Sequence, residues 1–164
     1  MSKRFDLREF QQRLLNKLQD KDLLSAQVSS LGVRIAGQDW LVDMQDISEV
    51  LPLPRMTAVP FAQPWFCGVV NVRGKLFGVT DMAAYQNSGA ASGDINNRIL
   101  LVAERYAFNA ALLVDRVLGM RDARPWKQST ADGQIMYRDE QGALWRKLDI
   151  PDLLEQAEFL QIEA

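Results

Sequence analysis

The chain has 164 residues, 48% of them apolar, with a formal charge of -2 and a sequence pI of about 5.2. That is enough apolar material for one folded domain or two small fused ones, and too much for a disordered chain. The acidic balance excludes an electrostatic grip on nucleic acid as the main activity, and the absence of histidine closes the Ser–His and Cys–His routes, phosphoryl relay on histidine and the commonest zinc ligand.

Asp6 to Gln19 carries Leu7, Phe10, Leu14, Leu15 and Leu18 at spacings that share one helix face. Two readings stand for it: a helix packed on its own domain, or an amphipathic segment that meets another protein or subunit. Lys21 to Gln27 is a polar link. This divides the chain into an N-terminal helical extension, residues 1–28, and a β domain, residues 29–164.

From Ser29 the period is two: Leu31, Val33 and Ile35 alternate with small or polar residues, Ala36 to Asp39 turns the chain, and Trp40 to Val42 returns. Met44, Ile47 and Val50 recur every three residues, which predicts one or two turns of helix or 3₁₀ over Met44 to Val50. Pro52 and Pro54 then require an edge strand or an extended crossover toward Met56 to Val59.

The stretch Gly68 to Asp81 reads as strand, tight turn, strand and helix cap. Val69, Val70 and Val72 lie before the turn Arg73-Gly74-Lys75; Leu76, Phe77 and Val79 follow it; and Asp81 caps a short helix, Met82 to Tyr85. Arg73 is a permanent cation at the mouth of an apolar hairpin. It is either a solvated turn residue or a donor fork presented to a partner.

Asn87 to Asn97 is a surface loop rich in Ser, Gly and Asn. Arg98 to Ala103 is a continuous apolar strand, buried on both faces, and Ala107 to Val114 returns after the Glu104-Arg105 turn. Arg124 to Gln134 reads as loop, Ile135 to Tyr137 as a short strand, Ala143 to Leu148 as the last strand. Asp149 caps one final helix with Pro151 in its first turn and Leu153, Leu154, Ala157 and Leu160 on its apolar face.

An internal repeat emerges. Val42-Asp43 and Val114-Asp115 each end a strand pair, with a short apolar turn of helix expected after each; Asp81 and Asp149 each cap a helix after an apolar strand. The spacings, 72 residues from Asp43 to Asp115 and 68 from Asp81 to Asp149, favour two copies of a small β unit sharing an apolar interface.

Little in the chain points to catalysis. Asp43, Asp46 and Glu49 cluster, but without the glycine-bearing loop of a hard-cation site. Cys67, the one cysteine, sits among Trp65, Phe66 and Val69 and reads as a buried, inert thiol. Asp115-Arg116 and Asp139-Glu140 read as solvated charges, and Trp40, Trp126 and Trp145 as core or rim. No metal and no cofactor are expected. Neither a membrane-length apolar run nor a secretion signal is seen, so direct membrane insertion is not expected and the cytosol is the expected compartment.

Trp65-Phe66-Cys67-Gly68-Val69-Val70-Asn71-Val72-Arg73-Gly74 with Asp81-Met82 resembles the signature of CheW-like chemotaxis coupling proteins, Gly-apolar-apolar-Asn-apolar-Arg-Gly, a strand, then Asp-apolar. Val42-Asp43, Ile47 to Val50 and Val114 to Val117 match as well, while Thr80 and Gly78 depart from the usual apolar residue and proline. The resemblance implies a mainly β fold of two intertwined SH3-like β-barrels with short helices and a C-terminal helix. It implies a non-catalytic adaptor between chemoreceptor tips and a CheA-type histidine kinase. The N-terminal extension is similar to that of PilI-type members, which serve pilus-linked twitching motility. Carried over by position, Ile47, Glu49, Asn71, Arg73, Gly74 and Val117 are the expected receptor-binding residues, around a groove between the barrels. Glu49 is alternatively an internal partner of Arg73. The kinase-binding residues are not named by the resemblance, beyond an apolar strand edge or barrel end. The rival readings are a standalone SH3-like peptide-binding module, which needs a row of exposed aromatics, and an enzyme using Asp43, Glu49 or Cys67.

Overall fold

The computed structural model describes residues 11–12 and 29–164. Apart from Gln11 and Gln12, which are helical, the expected helix Asp6 to Gln19 and the link after it lie outside the described residues.

The first strands are β1 (Ser29–Ile35) and β2 (Gln38–Asp43), an antiparallel hairpin. A 3₁₀ turn, Met44–Asp46, leads into β3 (Ile47–Pro52). Then come β4 (Phe66–Val72), β5 (Lys75–Asp81) and α1 (Met82–Tyr85). The second half opens with the antiparallel strands β6 (Arg98–Val102) and β7 (Ala110–Val114), joined through a 3₁₀ turn at Glu104–Tyr106. It continues through β8 (Arg116–Asp122), β9 (Lys127–Ala131), β10 (Gln134–Arg138) and β11 (Leu144–Lys147) to α2 (Ile150–Glu155) and α3 (Ala157–Leu160).

The strands form two sheets, ordered β8-β1-β2-β11-β10-β9 and β3-β6-β7-β5-β4. Each half donates its leading pair to the sheet completed by the other half. In one sheet β8 runs antiparallel to β1 and β11 parallel to β2; in the other β3 runs antiparallel to β6 and β5 parallel to β7. The internal repeat is thus a real equivalence, and the two SH3-like units are intertwined as expected. The aspartates at the repeat spacing do equivalent work: Asp81 Oδ1 accepts from Ala83 and Ala84 N–H at 3.1 and 3.3 Å, and Asp149 Oδ1 accepts from Asp152 N–H at 3.1 Å.

Burial on both faces of β6 and β7 follows from this exchange. Leu100, Val102, Ala110, Leu112 and Val114 face the shared core with Leu31, Val33, Ile35 and Val42. Ile99, Leu101, Ala111 and Leu113 face a second core with Val70, Phe77 and Val79. Leu51, Leu53, Met56 and Val72 also pack on that second core, so the sheet curls until its β3 and β4 edges approach. Paired backbone bonds between Thr57 and Val69, 2.8 and 2.9 Å, close part of the gap.

Several expectations need correction. Helical geometry after Asp43 stops at Asp46, and Ile47 to Pro52 is strand, because β6 offers a ladder to it. After Asp115 there is no helical turn; β8 begins at once and pairs with β1. Lys127 to Ala131, read as loop, is an edge strand exposed on both faces, which leaves no apolar alternation to detect. The last helix breaks at Gln156 (φ -69°, ψ 123°), which resets its phase: Phe159 is buried and Leu160 is exposed, the reverse of the expected face. Asp115 is not a solvated charge either. Its two oxygens accept from Ala36 N–H at 2.8 Å and Ser92 N–H at 2.7 Å, tying the first hairpin to the loop between the halves. Asp139 likewise accepts from Trp145 Nε1–H at 3.0 Å and from Ala143 N–H at 2.8 Å, and these bonds, the indole's foremost, hold its pKa below the ordinary carboxylate value.

Candidate functional site

The β4–β5 hairpin turns through Arg73 (φ 52°) and Gly74 (φ 85°), the two left-handed residues of a type I′ turn. Glycine takes such a φ freely. Arg73 does so at a cost of about 1 kcal/mol, offset in part by Asn71, whose Oδ1 accepts the Gly74 N–H at 2.9 Å. The result is a rigid tip with a cation on it.

The Arg73 side chain is 72% exposed and its Nη2 donates to Glu49 Oε2 on β3. Among the described residues this is the one hydrogen bond its side chain makes, so most of its five N–H donors face solvent. Both readings of Arg73 therefore meet in one geometry: it has an internal partner and stays available. Glu49 follows the bulge between Ile47 and Glu49, opposite Leu101. Asn71, Arg73, Gly74 and Glu49 are brought together.

Ile47 and Val117 are not. Ile47 is 8% exposed and belongs to the shared core, and Val117 is half-buried and packs against that core.

Further charged residues frame the tip. Lys75 Nζ lies 3.2 Å from Glu104 Oε1. Next in the chain, Arg105 donates to Asp46 Oδ1 and to the Gln45 carbonyl, and the Tyr106 hydroxyl also donates to Asp46. Ala103 N–H reaches the Asp46 carbonyl at 2.9 Å. Asp46 is 5% exposed, so these bonds satisfy a carboxylate that would otherwise be costly to bury. Burial first, then the bond to Asp46, raises the Tyr106 pKa. The circuit fixes the chain just ahead of Glu49. The sequence showed Asp46 beside Glu49 but gave no signal that its partner stood at Arg105.

A second surface escaped the sequence reading. On the outer face of the hairpin, Phe66, Val69 and Leu76 border an apolar groove of about 290 Å³ with Phe108, Phe159 and Ile162. Leu76 is 60% exposed. Gly78 helps keep the groove open, since a Cβ there would lie 2.9 Å from the Phe66 ring.

The rival chemistries gain no support. Cys67 is half-buried, and burial, then the Asp81 charge, pushes its pKa up to about 11, which keeps the thiol protonated. Among the described residues no cluster of metal-ligating side chains occurs. Trp40 and Trp145 are buried, Trp65 stacks on Phe159 at 6.2 Å and Trp126 lies 5.4 Å from Trp145, so the tryptophans form no exposed row. No described helix is long and apolar enough to cross a membrane.

Comparison with known proteins follows the same lines. The family model of the CheW-like domain matches residues 29–158. Protein PilI of Pseudomonas aeruginosa is 34% identical over 93 residues, 57% of this chain and 52% of that protein, so the match spans about half the length of that curated relative. The crystal structure of the scaffolding protein TtCheW from Thermoanaerobacter tengcongensis superposes with a TM-score of 0.66 at 17% identity, over 75% of this chain and 84% of that one, a likeness of fold.

Proposed function

The chain belongs to the CheW-like domain family, and from that premise we propose that it is a non-catalytic chemosensory adaptor, coupling chemoreceptor tips to a CheA-type histidine kinase in the cytoplasm. The observation that carries this reading is the Arg73 tip: an exposed guanidinium, held by Glu49 and a type I′ turn, inside the family's matched region. An ordered donor fork loses little side-chain entropy when it meets a carboxylate or carbonyl, which suits a modest and reversible contact. The apolar groove, which begins at Leu76 across from Asn71 and runs to Phe159 and Ile162, offers a second contact surface for the kinase's CheW-like regulatory domain. Two weak contacts on one rigid body give a bivalent link whose strength comes from effective concentration in an array.

The likeness to PilI favours pilus-based twitching as the output over flagellar swimming. Affinity capture from native cells tests the whole reading. A histidine kinase and a chemoreceptor should come down together; recovery of neither would overturn it.

A further inference from the structure

The apolar groove is built in part by a segment with few ties to the rest of the fold. Phe159 and Ile162 line the groove together with Phe66, Leu76 and Phe108. Both belong to residues 157–164, which leave α2 at Gln156, where the backbone unwinds (φ -69°, ψ 123°) ahead of the four-residue α3. Within 157–164 Phe159 is buried, Ile162 is half-buried, and every other residue is exposed.

The segment is attached at its root, its middle and its far end. At the root, the Tyr85 hydroxyl donates to Gln156 Oε1 at 2.5 Å, and Gln156 Nε2 donates to Asp152 Oδ2 at 3.2 Å. In the middle, the Phe159 ring enters an aromatic box. It stacks on Trp65 at 6.2 Å and is met by Tyr85 at 5.6 Å and Phe108 at 6.2 Å. At the far end the backbone zips to the loop before β4. Gln63 N–H donates to the Ile162 carbonyl at 2.7 Å, Ala164 N–H to the Phe61 carbonyl at 2.9 Å, and Gln63 Nε2 to the Glu163 carbonyl at 3.0 Å. The loop side of this zip is strained: Phe61 is left-handed (φ 58°), a conformation its Cβ disfavours, and its ring is 90% exposed.

A segment with one buried side chain and surface backbone bonds opens at far lower cost than the cores beneath it. Its opening would strip one wall from the groove. We propose that residues 157–164 form a strap, hinged at Gln156 and pegged by Phe159, that opens as a unit, and that the groove is complete only while the strap is closed. A partner seated in the groove then holds the strap shut, and a closed strap favours the partner by the same factor. The strap is a property of the free chain; its consequence for the kinase rests on the adaptor reading.

Native-state hydrogen exchange on the free chain tests the strap without any partner. The Gln63 and Gln161 amides lie on the two sides of it, bonded to the Ile162 and Ala157 carbonyls, and α3 is too short to persist undocked. Corrected for intrinsic rates, the two amides should share one protection factor within about threefold. That factor should lie at least about a hundredfold below those of Leu100 and Leu112 in the central strands β6 and β7. Phe159→Ala should remove the protection from both strap amides while Leu100 and Leu112 stay protected and the chain still melts cooperatively. Unequal protection of Gln63 and Gln161, protection equal to that of the core, or loss of cooperative folding in Phe159→Ala would each overturn the strap. With the kinase regulatory domain added, both amides should gain at least about tenfold protection, and Phe159→Ala should bind it at least about tenfold more weakly. Kinase binding that leaves both amides unchanged would overturn the coupling. No kinase binding by the wild-type chain would overturn the adaptor reading instead, and the exchange of the free chain would still decide the strap.

Discussion

Arg73 at the tip of the β4–β5 hairpin is bound to Glu49 on β3, the strand at the opposite edge of the same sheet. The ion pair closes a curl that the second core and the Thr57–Val69 bridge already enforce. Its partners are 72% and 33% exposed, so its share of stability is small, about 1 kcal/mol at most.

Arg73→Ala should therefore leave the fold nearly as stable as before, with a Tm within a few degrees, yet weaken binding of a chemoreceptor tip fragment about tenfold, equivalent to about 1.4 kcal/mol. Calorimetric titration and thermal melts on the same preparations read the two effects separately. A large loss of Tm with unchanged affinity would make Arg73 a structural residue only.

Gly68 is the position in the hairpin where substitution should damage the fold. Its φ is 144°, and a Cβ there would lie 2.5 Å from the Thr57 carbonyl oxygen, inside the bridge that holds β4. Gly68→Ala should cost about 2–4 kcal/mol in urea unfolding, since both backbone strain and a lost bridge are involved. Gly74→Ala meets nothing within 4 Å and carries only the strain of its φ of 85°, so it should cost less.

Alkaline stability should report on Cys67. Its folded pKa, about 11, lies above the ordinary thiol value of 9.0, so the protonated thiol is favoured by folding. The corresponding stability is complete below about pH 9 and is lost as pH rises toward 11, where the unfolded chain has released the proton and the folded chain still holds it. Tyr85 and Tyr106, also raised, add to the same trend at high pH. Melts between pH 8 and pH 11 should show a steeper loss for the wild-type chain than for Cys67→Ala, and iodoacetamide should label the native thiol slowly at pH 8.

Leu76→Asp tests the second face. The side chain is 60% exposed, so the fold should tolerate a carboxylate there. Binding of the kinase regulatory domain should fall at least tenfold while receptor-tip binding persists. Equal loss of both would merge the two faces into one.

Much of this architecture could be read in the residues, and the failures have physical causes. Strands with one apolar face, such as Leu31-Val33-Ile35, and turns with a fixed chemistry, such as Arg73-Gly74, were legible because the signal is local. Both aspartate caps were legible for the same reason. The exposed edge strand β9 carries no such pattern, since neither face is buried. Ile47 to Pro52 shows a helical spacing that the ladder to β6 overrides. At the site, the hairpin tip was legible, but the Asp46–Arg105 tie and the Leu76 groove join residues far apart in the chain and appear only once the sheets are formed. Ile47 and Val117 were expected in receptor contact by position alone, and position did not show that Ile47 is buried in the shared core or that Val117 is half-buried against it.

The central claim is that this chain links two proteins at once, and reconstitution measures that most directly. Receptor tip fragments arrayed on vesicles, a CheA-type kinase and the chain would be sedimented together and assayed for kinase autophosphorylation. The account predicts that kinase sediments and responds to the receptor only when the chain is present, and that Arg73→Ala and Leu76→Asp each break the link at a different side. Kinase recruitment that is the same without the chain, or receptor and kinase that displace one another from it, would contradict the account.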